Sequence, residues 1–196
     1  IEGHQSVSTP GAVAGLCKAH EMLGRIPLRY VMAPAVRLAR EGFAPDWFSI
    51  YALGLQAGTF HRFSELRSIF MPEGVMPTGS ATSPARIRQA QLADVLEAIA
   101  MEGPDVYYKG DVARAIVNDM SDNAGLLTEK DFTEYEPFVW DGVEFQYGGA
   151  VVRVPPYACA GVTTAMTLKM LDKLGLRSMD HNSGEMLHAY ISCARL

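Results

Sequence analysis

The stretch V-E-F-Q-Y-G-G-A-V-V-R-V-P-P-Y-A-C-A-G-V-T-T-A-M-T-L-K-M-L-D-K-L, Val143 to Leu174, decides how the rest of the chain is read. Val143, Phe145 and Tyr147 alternate with Glu144 and Gln146, which predicts a half-buried strand. Gly148-Gly149 then supplies the positive φ that a two-residue hairpin link needs. Ala150, Val152 and Val154 alternate with Val151 and Arg153 as the return strand, and Pro155-Pro156 ends the pairing because neither can donate to a ladder. A small-residue corner leads into a helix whose polar strip is narrow (Lys169, Asp172 and Lys173). Leu168, Leu171 and Leu174 repeat opposite that strip, so the helix is expected to be packed inside something. An isolated hairpin is marginal, so the sheet is expected to need strands from elsewhere.

Working outward, the chain reads as helix after helix. Ser8-Thr9-Pro10 predicts a capped helix with Val13, Leu16, Cys17 and His20 on one face and Gly24 as its stop. Pro27 opens a second, with Val31, Ala35, Leu38 and Ala39 inward, a kink or break at Pro34, and Gly42 at the end. Asp46 caps a third, rich in Phe48, Tyr51, Leu53 and Leu55, and one short helix is expected over 61–70. Residues 71–85, with three prolines and two glycines, predict a surface loop. The clearest periodicity follows, with Leu92, Val95, Leu96 and Ile99 inward, ended by Gly103-Pro104. Another helix carries Val112, Ile116, Val117 and Met120, up to Gly125. Thr128 and Asp131 have the spacing of a capping box. Beyond the hairpin and its helix, Ser183 caps a helix with Leu187, Tyr190, Ile191 and Ala194, and the pattern is still running at Leu196. More protein is therefore expected after it. Six or more helices, a hairpin and two more helices give an α+β reading, and residues 1–196 are read as a single domain fragment.

Composition excludes several classes. With 48% hydrophobic and 20% charged residues, the chain is ordinary for a globular protein. A formal net charge of −5 and the lack of any Lys/Arg run argue against a nucleic-acid partner. No apolar run approaches the roughly 18 residues of a membrane span. Cys17, Cys159 and Cys193 are too few and too widely spaced for a disulfide framework or zinc site. As three free buried thiols they lean towards a reducing, cytoplasmic compartment.

The standard constellations of chemistry are absent: no G-x-G-x-x-G, no phosphate loop, no G-x-S-x-G. His4, His20, His61, His181 and His188 form no ligand spacing, and no metal or cofactor is expected. His20, on the core stripe of its helix, reads as a histidine satisfied by a backbone carbonyl ahead of a catalytic base. Cys159, near a helix start that would lower a thiol pKa, has no histidine partner in view and reads as inert. Ser8-Thr9 and Thr163-Thr164 read as capping hydroxyls, Arg37, Arg40 and Glu41 as a solvated face, and the ten methionines as core filling. No residue of this chain is assigned a catalytic, substrate-binding or metal-binding role.

The order of segments resembles a family. S-V-S-T-P-G-A-V-A-G-L (6–16), A-P-A-V-R-L-A-R-E-G-F (33–43), E-G-P-D-V-Y-Y-K-G (102–110), A-G-L-L-T-E-K-D-F (124–132) and V-P-P-Y-A-C-A-G (154–161) occur in sequence. Together they resemble the γ-glutamyltranspeptidase family of N-terminal-nucleophile hydrolases. The resemblance implies a four-layer αββα fold, cut from a precursor into large and small subunits. This chain would then be the middle and later part of the large subunit, supplying mainly outer helices and a β-hairpin of the sheet. It also implies a partner small subunit whose N-terminal threonine is the nucleophile, its own α-amino group serving as base. That threonine would take a γ-glutamyl group from glutathione or a related amide and pass it to water or an amino acid, in the periplasm or outside the cell. An arginine upstream of Ile1 would bind the glutamyl carboxylate. The corner departs from the family, where many members have P-P-P-S-S-G-G. That departure keeps open a related acylase or amide hydrolase, alongside a non-catalytic helical interaction module.

Overall fold

The hairpin forms where its alternation places it, and its two strands are antiparallel: β1 (Val143–Tyr147) and β2 (Ala150–Val154), with Val143 opposite Val154 and Phe145 opposite Val152. Gly148 and Gly149 link them with φ of 59° and 85°, the paired positive values of a turn whose twist suits a hairpin. On one face Phe145 and Val154 are buried with Val152 and Tyr147 beside them, and on the other Arg153 Nε donates to Glu144 Oε1 at 2.8 Å. The computed structural model describes residues 3–77, 85–156 and 159–195. Tyr157 and Ala158 of the corner, and 78–84 of the expected loop, lie outside them. The chain divides into two compact units, Ile1–Pro137 and Phe138–Leu196.

In the first unit, nine helices stand among the described residues: α1 (Ala12–Leu23), α2 (Leu28–Glu41), α3 (Trp47–Leu55), α4 (Ala57–Arg62), α5 (Ser64–Phe70), α6 (Ala90–Glu102), α7 (Asp105–Tyr108), α8 (Asp111–Asp122) and α9 (Glu129–Thr133). α2 packs along α6. Arg40 of α2 donates to Asp94 at 2.8 Å and Glu97 at 3.0 Å on α6, so it clamps two helices rather than facing solvent alone. Below the clamp, Phe43 and Ile87 exchange backbone hydrogen bonds, which ties the exit of α2 to the entry of α6.

Several capping residues do what their chemistry dictates. Asp46 accepts from Ser49 N at 2.7 Å at the start of α3, and Thr128 N donates to Asp131 at 2.8 Å in the capping box of α9. The side-chain hydrogen bonds from Ser49 and Thr128 hold the Asp46 and Asp131 carboxyls below the usual carboxylate range. Because the folded values are lowered, both contributions are present above the ordinary carboxylate pKa and fade as pH falls through the folded values.

Elsewhere the structure corrects the sequence reading. Neither Ser8 nor Thr9 caps α1, which starts at Ala12 with Gly11 as N-cap and no side-chain bond there. The first orphan amides are served from far along the chain: Ala14 N donates to Tyr108 Oη at 3.1 Å, and Tyr108 Oη donates to Pro10 O at 2.5 Å. α2 runs unbroken through Pro34, because the hydrogen bond that proline forfeits falls at Tyr30, an exposed residue. It buries Val36 while Val31 and Leu38 stay exposed. The stretch 61–70 holds parts of two helices, broken at Phe63, and their ends are joined by a Phe60–Phe70 ring stack. α7 was not expected, since Gly103-Pro104 reads as a stop and hides the single turn that follows. Its Tyr108 packs with Ala14, Ala113, Met120, Leu127 and the fully buried Phe132 as the main core of this unit.

Tyr108→Phe would leave Ala14 N–H and Pro10 C=O without their partner, at a cost of about 1–3 kcal/mol. Faster amide hydrogen exchange over α1 in the full-length protein, with the rest unaltered, is the expected readout.

The second unit holds the hairpin, α10 (Gly161–Lys173), a 3-10 turn at Leu176–Ser178 and α11 (Gly184–Ala194). Ser183 caps α11, accepting from Met186 N at 3.1 Å. α10 packs on the hairpin through Ala165 and on α11 through Leu171, which meets Ala189 and Cys193. Within this unit the expected cover of α10 is only partial. Val162, Met166 and Leu174 of α10 are exposed, and so are Leu187, Tyr190 and Ile191 of α11. Leu171 of α10 is covered by the small side chains Ala189 and Cys193 of α11, and the larger side chains on the other faces of both helices stay outside.

Candidate functional site

Of the candidate groups, Cys17 and His20 come nearest to a pair. They sit one turn apart on α1 and line one cleft. His20 Nε2 is 2.7 Å from Ile26 O, so the ring is satisfied by a backbone carbonyl as its position suggests, although it is only half-buried. Burial pushes the Cys17 thiol up, which is the wrong direction for a nucleophile. Cys159 is exposed, which corrects the reading of three buried thiols; Cys193 is buried and Cys17 half-buried. The Cys159 sulfur lies 4.0 Å from Pro155 O, with no base within hydrogen-bond reach among the described residues. Thr164 and Thr167 donate back to Ala160 O at 2.8 Å and Thr163 O at 3.0 Å, so they bond within α10 instead of capping it. His4 Nε2 is 2.9 Å from Asp119. Among the described residues, no three His, Cys, Asp or Glu side chains gather as a metal site requires.

The cleft that Cys17 and His20 share holds about 590 Å³ and lies within the first unit. α1 forms one wall and α7 another, and the segment from Phe132 to Pro137 closes a third side. Its floor is aromatic: Tyr108 and Tyr135 stack at 5.5 Å, 7° from parallel, and outside the cleft Tyr107 meets Tyr108 edge-on at 5.1 Å. A Cβ on Gly11 would overlap the Tyr135 hydroxyl, so glycine is what lets that ring seat beneath α1. Desolvation pushes the Tyr108 hydroxyl up, which keeps it neutral in its two hydrogen bonds. The cations at the rim are already engaged, Lys18 with Glu21 at 2.9 Å and Lys109 with Asp105 at 3.0 Å. An aromatic floor with a self-paired rim can hold structure together, but nothing here activates a hydroxyl or thiol.

Sequence reasoning overlooked Tyr108 and Phe132, the two residues this cleft is built on. Their signal was present in E-G-P-D-V-Y-Y-K-G and T-E-K-D-F, which mark a helical turn and a capped turn too short to show periodicity.

The ordered helices, the I′-type hairpin and the half-covered α10 together make a topology that can be compared with known proteins. The family model described as Gamma-glutamyltranspeptidase matches residues 1–196. The chain belongs to the gamma-glutamyltranspeptidase family. It is 32% identical over 193 residues to the glutathione hydrolase proenzyme of Escherichia coli (strain K12), covering 95% of this chain and 32% of that protein. It is 30% identical over 190 residues to the acylase ACY 1 proenzyme of Pseudomonas sp. (strain SE83), covering 96% of this chain and 33% of the other. The chain thus spans about a third of the length of these curated relatives. Against the crystal structure of Helicobacter pylori gamma-glutamyltranspeptidase the TM-score is 0.86, with 23% identity over 99% of this chain and 55% of that one. The fold is therefore that of the N-terminal-nucleophile hydrolases of this family. Of it, the described residues hold mainly helices and one two-stranded antiparallel sheet. No helix among them is long and apolar enough to cross a membrane.

Proposed function

We propose that this chain is the middle and later part of the large subunit of a γ-glutamyl-transferring or γ-glutamyl-hydrolysing enzyme. The observation that carries this reading is the family match along residues 1–196. Its nucleophile is an N-terminal threonine on a partner small subunit cut from the same precursor; both curated relatives are named as proenzymes, which supports processing. In the reaction, the threonine hydroxyl attacks the γ-carbonyl of a glutathione-like amide and its α-amino group takes the proton. The amine leaves, and water or an amino acid then releases the acyl group. Backbone N–H groups of the small subunit stabilise the oxyanion. The large-subunit piece supplies packing layers, on which the position of that site depends. Residues 1–196 are treated as one fragment of that subunit.

A second reading keeps the acyl transfer and changes the acyl group. It is favoured by the acylase relative, whose identity to this chain is within two percentage points of the glutathione hydrolase's (30% against 32%). The Tyr157-Ala158-Cys159 corner, bulkier and less polar than the serines many members carry, points the same way.

Full-length protein is expected to release the chromophore from a γ-glutamyl anilide, faster when glycylglycine is present as acceptor. Silence with that substrate, combined with cleavage of other amides, hands the proposal to the acylase reading. Silence with every amide leaves the helical interaction module.

A further inference from the structure

The chain leaves the body of the first unit after Phe43 and rejoins it at Ile87, and the two points are tied together. Phe43 N donates to Ile87 O at 3.2 Å and Ile87 N to Phe43 O at 3.0 Å, an antiparallel pair that closes the excursion at its base. Arg86 donates to Gly42 O at 2.5 Å and Arg88 to Glu41 O at 3.1 Å, which satisfies carbonyls at the end of α2. Gln89 N adds a bond to Ala39 O at 2.9 Å. Gly42 permits the closure: it sits at φ 79°, and a Cβ there would lie 2.8 Å from Ile87 O. Nearby on α2, the ion pairs of Arg40 to Asp94 and Glu97 fix α2 to α6 independently of anything beyond the neck.

Beyond the neck, residues 44–77 are held mainly by one another. α3, α4 and α5 contain no buried residue, whereas every other α-helix of the unit buries at least one. Met71, just past α5, is buried. α4 packs on α3 and on α5, and Phe60 stacks on Phe70 at 5.3 Å. The side-chain hydrogen bonds of the segment join Ser49 to Asp46, Arg62 to Thr59 and Ser68 to Glu65, each pair three residues apart. Arg62 aside, no residue of 44–77 hydrogen-bonds to a described residue outside the segment. At one edge, Arg62, Phe63 and Leu66 face His4, Val7 and Met120 across a crevice of about 780 Å³ instead of packing on them. Exposure alone would say little, but a segment pinned at its base can open without unravelling the helices on either side. Units with few buried contacts open most readily, and lids and binding loops are drawn from them.

We propose that α3–α5 form a hinged flap, a unit that opens as a whole while the Phe43–Ile87 neck stays shut and α2 and α6 keep their packing. Hydrogen exchange of the full-length protein in sub-denaturing urea tests this, and its reading does not depend on which amide the enzyme cleaves. Amides of α3, α4 and α5 are expected to exchange about tenfold faster or more than those of α2 and α6, and to quicken together with one common urea dependence. Arg86→Ala is expected to speed exchange at the Ile87 and Gln89 amides by about threefold or more, with α8 unchanged. Protection of α3–α5 equal to that of α2 and α6 overturns the proposal, because the rest of the protein then holds the segment in place. Exchange with no urea dependence also overturns it, being the mark of separate fraying. Opening that carries α2 and α6 along, or no change at Ile87 and Gln89 in the Arg86 variant, shows that the neck is not the hinge and overturns it too.

Discussion

Replacing Phe132 by alanine is expected to cost about 3–5 kcal/mol, the range for truncating a fully buried aromatic ring. The ring has no exposed surface and sits among Tyr108, Ala113, Met120 and Leu127, with its centroid 6.4 Å from that of Tyr108. Removing it opens a void beneath α7, α8 and α9 together, and the capped turn of α9 is too short to collapse into the space. Hydrogen exchange in the full-length protein should show amides of α8 and α9 opening far more readily. Phe132→Leu, which keeps most of the volume, should cost much less. Unchanged exchange in the alanine variant would show that the core of this unit lies elsewhere.

Gly161→Val is the second large effect. Gly161 is buried at the start of α10, and a Cβ there would overlap Pro155 O and approach the Pro155 ring at 3.0 Å. The obstacle is backbone held by a proline, so no rotamer change relieves it, and the corner between β2 and α10 must open. Overpacking of this kind costs about 1–3 kcal/mol or more. Because the corner joins sheet to helix, and no catalytic group of this chain has been placed in it, the defect is expected in assembly. With Pro156→Ala added, the fraction of precursor cleaved should fall by more than the rate per cleaved molecule. Gel quantitation of cleaved subunits beside the rate per cleaved enzyme separates the two. Normal cleavage with a collapsed rate would put the corner in the active site.

What the sequence made legible was local chemistry. Asp46, Ser183 and the Thr128–Asp131 box cap what they should, and Gly42 and Gly103 stop their helices at positive φ. The hairpin's bounds and register follow from alternation and one glycine pair. What it hid was of two kinds. The single turn α7 has no period to detect, and the capping box that marks α9 does not say which side chain it buries, yet they carry Tyr108 and Phe132 into the core. The inward face of a helix is also misjudged when it is ranked by the size of its apolar side chains alone. α2 buries Val36 rather than Val31 or Leu38, and α11 buries Ala189 and Cys193 rather than Leu187 or Ile191. Hydrophobicity ranks side chains by their appetite for burial, but the neighbouring surface decides which of them obtain it. Tyr108 capping α1 across 94 residues of chain is a tertiary event with no local signature. The candidate groups were legible mainly as isolated residues, and among the described residues His20, Cys159 and Thr164 each meet a backbone carbonyl.

The proposal that this chain shapes an acyl-transfer enzyme whose nucleophile lies on the partner subunit can be tested by labelling. Mass spectrometry of the full-length protein, after reaction with an electrophilic glutamine analogue, tests it most directly. The expected result is a cleaved precursor, with the added mass on a peptide that begins with threonine at the new N-terminus and on no peptide from residues 1–196. Added mass on Cys159, or on any other residue of this chain, would contradict it.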